Sequence, residues 1–160
     1  MILALLSARR FLSLAAFMPG LLSMMGETQE AVMSLNAMLN VKEEHGFLPE
    51  RFDYGRWEVE GGDKSGGGAG KHPLRPELFE SLYFVQRANR GMGGGGWLNV
   101  AENYVDLVEK KCRTKCGYAS IDDVVTMKLS DNMPSYFLSE VRLDKERSDS
   151  KRVLIAFLHN

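Results

Sequence analysis

The chain has 160 residues, with 20 basic against 21 acidic side chains and a formal net charge of -1. Such a balance lacks the basic footprint that nucleic acid or an anionic membrane surface requires, and 44% hydrophobic with 26% charged residues excludes wholesale disorder. A single domain of this length buries roughly two thirds of its unfolded surface, enough for a core.

The N-terminal run "MILALLSARRFLSLAAF" is apolar but broken by Arg9 and Arg10, where a secretory signal would be uninterrupted, and it is too short and too interrupted to cross a membrane. Its apolar density predicts a buried helix over Leu3 to Phe17, stopped by "MPG" at 18–20 because proline disfavours helical geometry in the residue before it. A short apolar piece, Leu21 to Met25, leads to Gly26. Thr28 to His45 reads as an amphipathic helix with Val32, Leu35, Met38 and Leu39 on one side and Gly46 as its stop. Glu27 and Glu30 near its start and Lys42 near its end suit the helix dipole.

Residues 46–71 read as a long loop that contains "GFLPERFDYGRWEV" and the tract "GGDKSGGGAGK". That tract and "GMGGGG" at 91–96 are predicted to be flexible insertions rather than phosphate cradles, since no predicted strand precedes them and no Gly-Lys-Ser/Thr ending follows. Helices are predicted at about 76–89 and 97–111, a short hairpin within "CGYASIDDVVTMKLSDNM" (116–133), and a last helix from near Pro134. The class is mainly α, without an obvious internal repeat. Cys112 and Cys116 have neither the spacing nor the nearby histidines of a zinc site, and their spacing is compatible with a bridge or with two free thiols.

Two stretches carry candidate chemistry. In "HPLRPELFESLYF" (72–84), Pro76 fits the first helical position, where its missing N–H removes an amide that would lack a partner anyway. Glu77 then falls in the first turn, where free amides, the dipole and the neighbouring Arg75 favour an ionised carboxylate, suited to accept a proton. Glu80 and Ser81, three and four residues on, are expected to share its face. Spacing alone favours an ordinary acidic first turn over a catalytic site. In "DNMPSYFLSE" (131–140), Tyr136 and Glu140 are four apart and share a helical face, an aromatic ring beside a carboxylate being a usual way to hold a sugar. Core packing of Tyr136 is the plainer alternative.

Five blocks in order, "SLAAFMPGLLSMMGE", "HGFLPERF", "HPLRPELFESLYF", "KCGYASIDDV" and "DNMPSYFLSE", resemble the class I α-1,2-mannosidases, glycoside hydrolase family 47, and within it the ER degradation-enhancing α-mannosidase-like branch. The resemblance implies an all-α fold, part of an (α/α)7 barrel of helical hairpins with a short β-hairpin, truncated at both ends. Residues 1–145 would be a fragment of the catalytic domain and 146–160 a divergent tail. The implied activity is calcium-dependent, inverting hydrolysis that trims mannose from N-glycans of misfolded glycoproteins in ER-associated degradation. By position in the Arg-Pro-Glu motif Glu77 would be the catalytic base, and Arg75, Glu80, Tyr136 and Glu140 would line the sugar pocket.

Several departures bear on that activity. Pro134 stands where the family pattern has a glutamate between Met and Ser, which removes a pocket acid, although proline is tolerated in a first helical turn. After Glu140, "VRLDKERSDSKRVLIAFLHN" replaces the helix and the Asn-Thr-Glu stretch whose threonine binds calcium in the family. The general-acid glutamate and a further catalytic aspartate belong to an upstream part that has no counterpart here. The expectation is therefore a chain incomplete for catalysis, with a non-catalytic binder of mannose glycans or client proteins, or an inactive fragment, as the alternative. The ER lumen, with high-mannose glycans as partner and membrane attachment only through a preceding segment, is inherited from the resemblance.

Overall fold

The computed structural model describes residues 9–60, 68–89 and 96–140. Phe11 turns inward between two exposed neighbours, so that Arg10–Leu12 forms a strand, β1, antiparallel to β2 (Arg51–Asp53), which pairs in turn with β3 (Glu58–Val59). The expected helix over Leu3 to Phe17 is thus corrected: residues 10–12 are a strand, Ser13–Phe17 is a 3-10 turn, and residues 1–8 lie outside the described part. Apolar density alone could not reveal this, because the backbone partner of β1 lies about forty residues away in sequence.

"MPG" also acts opposite to expectation. The 3-10 turn runs directly into helix α1, Met18–Met24, with Pro19 in the first turn, where a missing N–H costs nothing. Gly20 lets this helix lie close on α3 (Glu77–Ala88): a Cβ there would stand 3.3 Å from both Phe84 and Ser81. The Gly20 N–H donates to Ser81 Oγ at 2.9 Å, and Ser81 Oγ donates to the Ala16 carbonyl. Ser81 is therefore fully buried as a tie between α3 and the preceding turn, and does not join Glu77 and Glu80 in one patch as the spacing suggested. Ser81→Ala strands a buried donor and a buried acceptor and is expected to destabilise the chain by about 1–3 kcal/mol, read as a lowered midpoint in urea.

Helix α2 spans Thr28–His45, the predicted bounds, and Gly46 ends it with φ +77°, a conformation that favours glycine. Ala31, Leu35, Met38, Leu39 and Val41 form its buried face. Lys42, in the last turn as the dipole favours, is 6% exposed, with Nζ 2.8 Å from Glu43 and 5.7 Å over the Tyr104 ring. The stretch read as one long loop carries the β2–β3 hairpin, so a strand does precede the first glycine tract. Most of that tract (61–67) and of the second (91–95) falls outside the described residues.

Helix α4 (Trp97–Cys112) follows, then two two-stranded ladders, β4 (Arg113–Thr114) with β5 (Gly117–Tyr118) and β6 (Ile121–Asp123) with β7 (Lys128–Leu129), and a short helix α5 (Ser135–Glu140). The hairpin and last helix fall where periodicity placed them. Helix α1 packs on both α2 and α3, and α3 packs on α4. At their meeting point Phe79 stacks on Tyr104 with ring centroids 4.6 Å apart, and Phe47, Leu78, Leu82 and Phe137 are fully buried around them. Cys112 and Cys116 are both free; Cys112 is buried, which pushes its thiol up to about 12. Among the described residues no helix is long and apolar enough to cross a membrane.

Candidate active site

The segment between the first glycine tract and α3 makes no regular element, so its backbone groups must find partners elsewhere. His72 exchanges two backbone hydrogen bonds with Ile121 at 2.9 Å each, and its ring Nδ1 lies 2.9 Å from the Leu48 carbonyl. A carbonyl can only accept, so Nδ1 carries the proton and Nε2 is left to accept from the Tyr104 hydroxyl at 3.4 Å. Complete burial drives the His72 pKa down to about 4, so the ring is neutral at pH 7. The Pro73 carbonyl accepts from the Tyr136 hydroxyl at 2.7 Å.

Leu74 follows with φ +55°, a left-handed conformation that costs an L-residue with a side chain on the order of 1 kcal/mol. It persists because the Leu74 side chain is buried and the backbone on either side is tied down. The kink turns Arg75 away from the helix it precedes and toward Glu50. Arg75 Nε donates to Glu50 Oε1 at 2.6 Å and Nη2 donates to Oε2 at 3.0 Å, a side-on fork. Ser13 Oγ closes the arrangement, accepting from Arg75 Nε at 2.9 Å and donating to Glu50 Oε1 at 2.5 Å.

Nη1 of Arg75 stands 3.8 Å from Oε1 of Glu77, whose side chain is 13% exposed. One cation therefore lies between two carboxylates. Burial alone would raise the Glu50 carboxyl, but the hydrogen bonds from Arg75 and Ser13 outweigh it and hold the group below the usual carboxylate range. Hydrogen bonding to Glu50 first, and the nearby negative charge of Glu50 and Glu77 after it, raise the Arg75 guanidinium further. Both members of the pair are charged at any pH near neutral.

Of the predicted site residues, Arg75 and Glu77 meet directly, and Tyr136 joins them through the Pro73 carbonyl. Glu80 is half-buried one turn along α3, where its N–H donates to the Pro76 carbonyl. Pro76 caps α3, and Glu77 is its first residue, one position later than the spacing placed the start. Glu140 is the last residue of α5, and its side chain lies outside the description. Sequence reasoning missed Glu50, Ser13 and His72. The signal available for Glu50 was its place as the first acid after an apolar Phe-Leu-Pro run, in one of the five blocks. All five blocks reach this point, through Ser13, Glu50, Arg75 with Glu77, Ile121 and Tyr136. Among the described residues no group of three or more His, Cys, Asp or Glu side chains converges to hold a metal ion.

The described residues thus gather, at the first turn of α3, a largely buried carboxylate, a guanidinium fixed by Glu50 and a tyrosine anchored on the Pro73 carbonyl. The chain belongs to glycosyl hydrolase family 47, whose model matches residues 6–142. It is 36% identical over 130 residues to "Alpha-mannosidase I MNS4" of Arabidopsis thaliana, which covers 81% of this chain and 19% of that protein. It is also 36% identical over 140 residues to "ER degradation-enhancing alpha-mannosidase-like protein 3" of Xenopus laevis, covering 85% of this chain and 14% of that one. Among solved structures, the alpha-1,2-mannosidase from Trichoderma reesei superposes with a TM-score of 0.61 at 25% identity, over 82% of this chain and 32% of that chain. The chain thus spans about a fifth or less of the length of these curated relatives.

Proposed function

We propose that the chain carries the base-bearing side of an α-1,2-mannosidase pocket that takes terminal mannose of high-mannose N-glycans. What supports the reading is the Glu50–Arg75–Glu77 array set under Tyr136, in a chain of this family. In the reaction, Glu77 removes a proton from a water whose oxygen attacks the anomeric carbon from the face opposite the leaving oxygen, so configuration inverts. Arg75 Nη1 and Glu77 hold sugar hydroxyls, Glu80 and Glu140 extend the polar wall, and the Tyr136 ring lies against the apolar face of the sugar.

The proton for the leaving oxygen must come from a carboxylic acid other than these residues. Calcium, which the family uses, does not fit the described residues: both Glu50 oxygens are engaged by Arg75, and no third ligand converges. On this reading residues 1–145 are a section of an (α/α)7 barrel and residues 146–160 a tail apart from it. Relatives named ER degradation-enhancing alpha-mannosidase-like proteins support an ER pathway for this reading, which takes misfolded glycoproteins in the ER lumen as the substrates.

A second reading, binding of mannose glycans without turnover, is favoured by Pro134, which stands between Met133 and Ser135 where the family pattern has a pocket glutamate. Incubating the chain with a high-mannose glycan, with and without calcium, and following mannose release by mass separates the two. Titration with α-1,2-mannobiose runs alongside. Binding without release supports the second reading, release supports the first, and the absence of both overturns the pocket.

A further inference from the structure

We infer that Glu50, backed by Ser13, is a positioning residue that locks the Arg75 guanidinium by Nε and Nη2 so that Nη1 alone faces Glu77 and the incoming sugar. The inference rests on the mannose-pocket reading above and adds to it a residue that neither contacts the sugar nor acts on its bonds.

The geometry of Glu50 is that of a fixed support. Its N–H donates to the Lys71 carbonyl at 2.8 Å and its carbonyl accepts from the Ser13 N–H at 3.0 Å, so its backbone is tied on both sides before its side chain makes any contact. Ser13, 1% exposed, then ties Oε1 by a hydroxyl bond. The guanidinium received by this support is planar, and gripping one edge of it sets the direction of the whole fork. A free arginine side chain loses rotamer entropy when it is ordered. Here that ordering is complete before a ligand arrives, which favours binding in the way preorganisation generally does.

Charge points the same way. Without Glu50, the cation would be drawn wholly to Glu77 and would cover the carboxylate the reaction needs. With Glu50 holding two of its three nitrogens at 2.6 and 3.0 Å, Arg75 stays at 3.8 Å from Glu77, beyond a tight hydrogen bond and within electrostatic reach.

The test uses the full chain labelled with nitrogen-15. In the unaltered protein the Arg75 Nε–H resonance is expected to be resolved and slow to exchange. In Glu50→Ala it should fall into fast exchange, and affinity for α-1,2-mannobiose should drop by about tenfold or more, equivalent to roughly 1.4 kcal/mol. Glu50→Asp should recover part of both. Ser81→Ala, destabilised at a site away from the pocket, controls for loss of stability and should keep both signals. Wild-type affinity and a protected Nε–H in Glu50→Ala would overturn the inference while leaving the pocket standing, and so would an equal loss of affinity in Ser81→Ala. If the unaltered chain binds no mannobiose, the pocket reading fails. In that case loss of the protected resonance in Glu50→Ala still supports the lock, and its retention overturns it.

Discussion

Glu77→Gln is expected to lower any mannose release by about 10²–10⁴-fold while changing mannobiose affinity far less, because the amide keeps the shape and hydrogen-bonding oxygen of the side chain but cannot accept a proton. The carboxylate it replaces is mostly shielded from solvent, at the first residue of α3 and beside Arg75 Nη1. That surrounding fixes the position of the carboxylate. A group serving only to hold a hydroxyl would show the reverse pattern, with affinity falling as fast as turnover. Single-turnover release measured beside the titration distinguishes the two. Equal trimming by the variant and the parent would remove Glu77 from the chemistry.

Acidification is expected to cost the fold on the order of 3 kcal/mol through His72 alone. In the folded chain the ring has a pKa of about 4, set by burial, against about 6.5 in an unfolded chain. Between these values the unfolded state binds the proton and the folded state does not. The stabilisation is therefore complete above pH 6.5 and is lost progressively as pH falls toward 4. Glu50, held ionised by Arg75 and Ser13, acts in the same direction at the acid end, because a carboxylate whose folded pKa is lowered gives up stability as it is protonated. Protonating His72 would place a buried charge against Phe47 and Tyr104; burial and the nearby Arg75 cation oppose it and outweigh the favourable Leu48 carbonyl and Glu50 carboxylate. Urea midpoints from pH 7.5 down to 4.5 should fall steeply for the parent. His72→Gln should start lower and fall less. Parallel curves for the two proteins would mean that another group sets the acid limb.

The histidine and the arginine act through one short piece of chain. His72 fixes the backbone at one end by its bonds to Ile121 and Leu48, the strained Leu74 reverses direction, and Arg75 is delivered to Glu50. Protonation of Nε2 would take from this piece of chain only the bond it accepts from the Tyr104 hydroxyl.

Local physics made much of this legible in advance. The helix from Thr28 to His45, the helices near 77–88 and 97–112, the hairpin and the last short helix follow from periodicity, caps and prolines, signals that act within a few residues. The Arg-Pro-Glu turn likewise announced an acid at a helix start beside a cation. Only the tertiary structure decided that residues 10–12 are a strand, that "MPG" opens a helix, that Ser81 ties two helices rather than serving the pocket, and that Glu50 and Ser13 grip Arg75. Each of these depends on a partner 25 to 65 residues away, between groups such as Arg75 and Glu50 or Ser81 and Ala16. Hydrogen bonds and ion pairs form by proximity in space, and a sequence records proximity only along the chain.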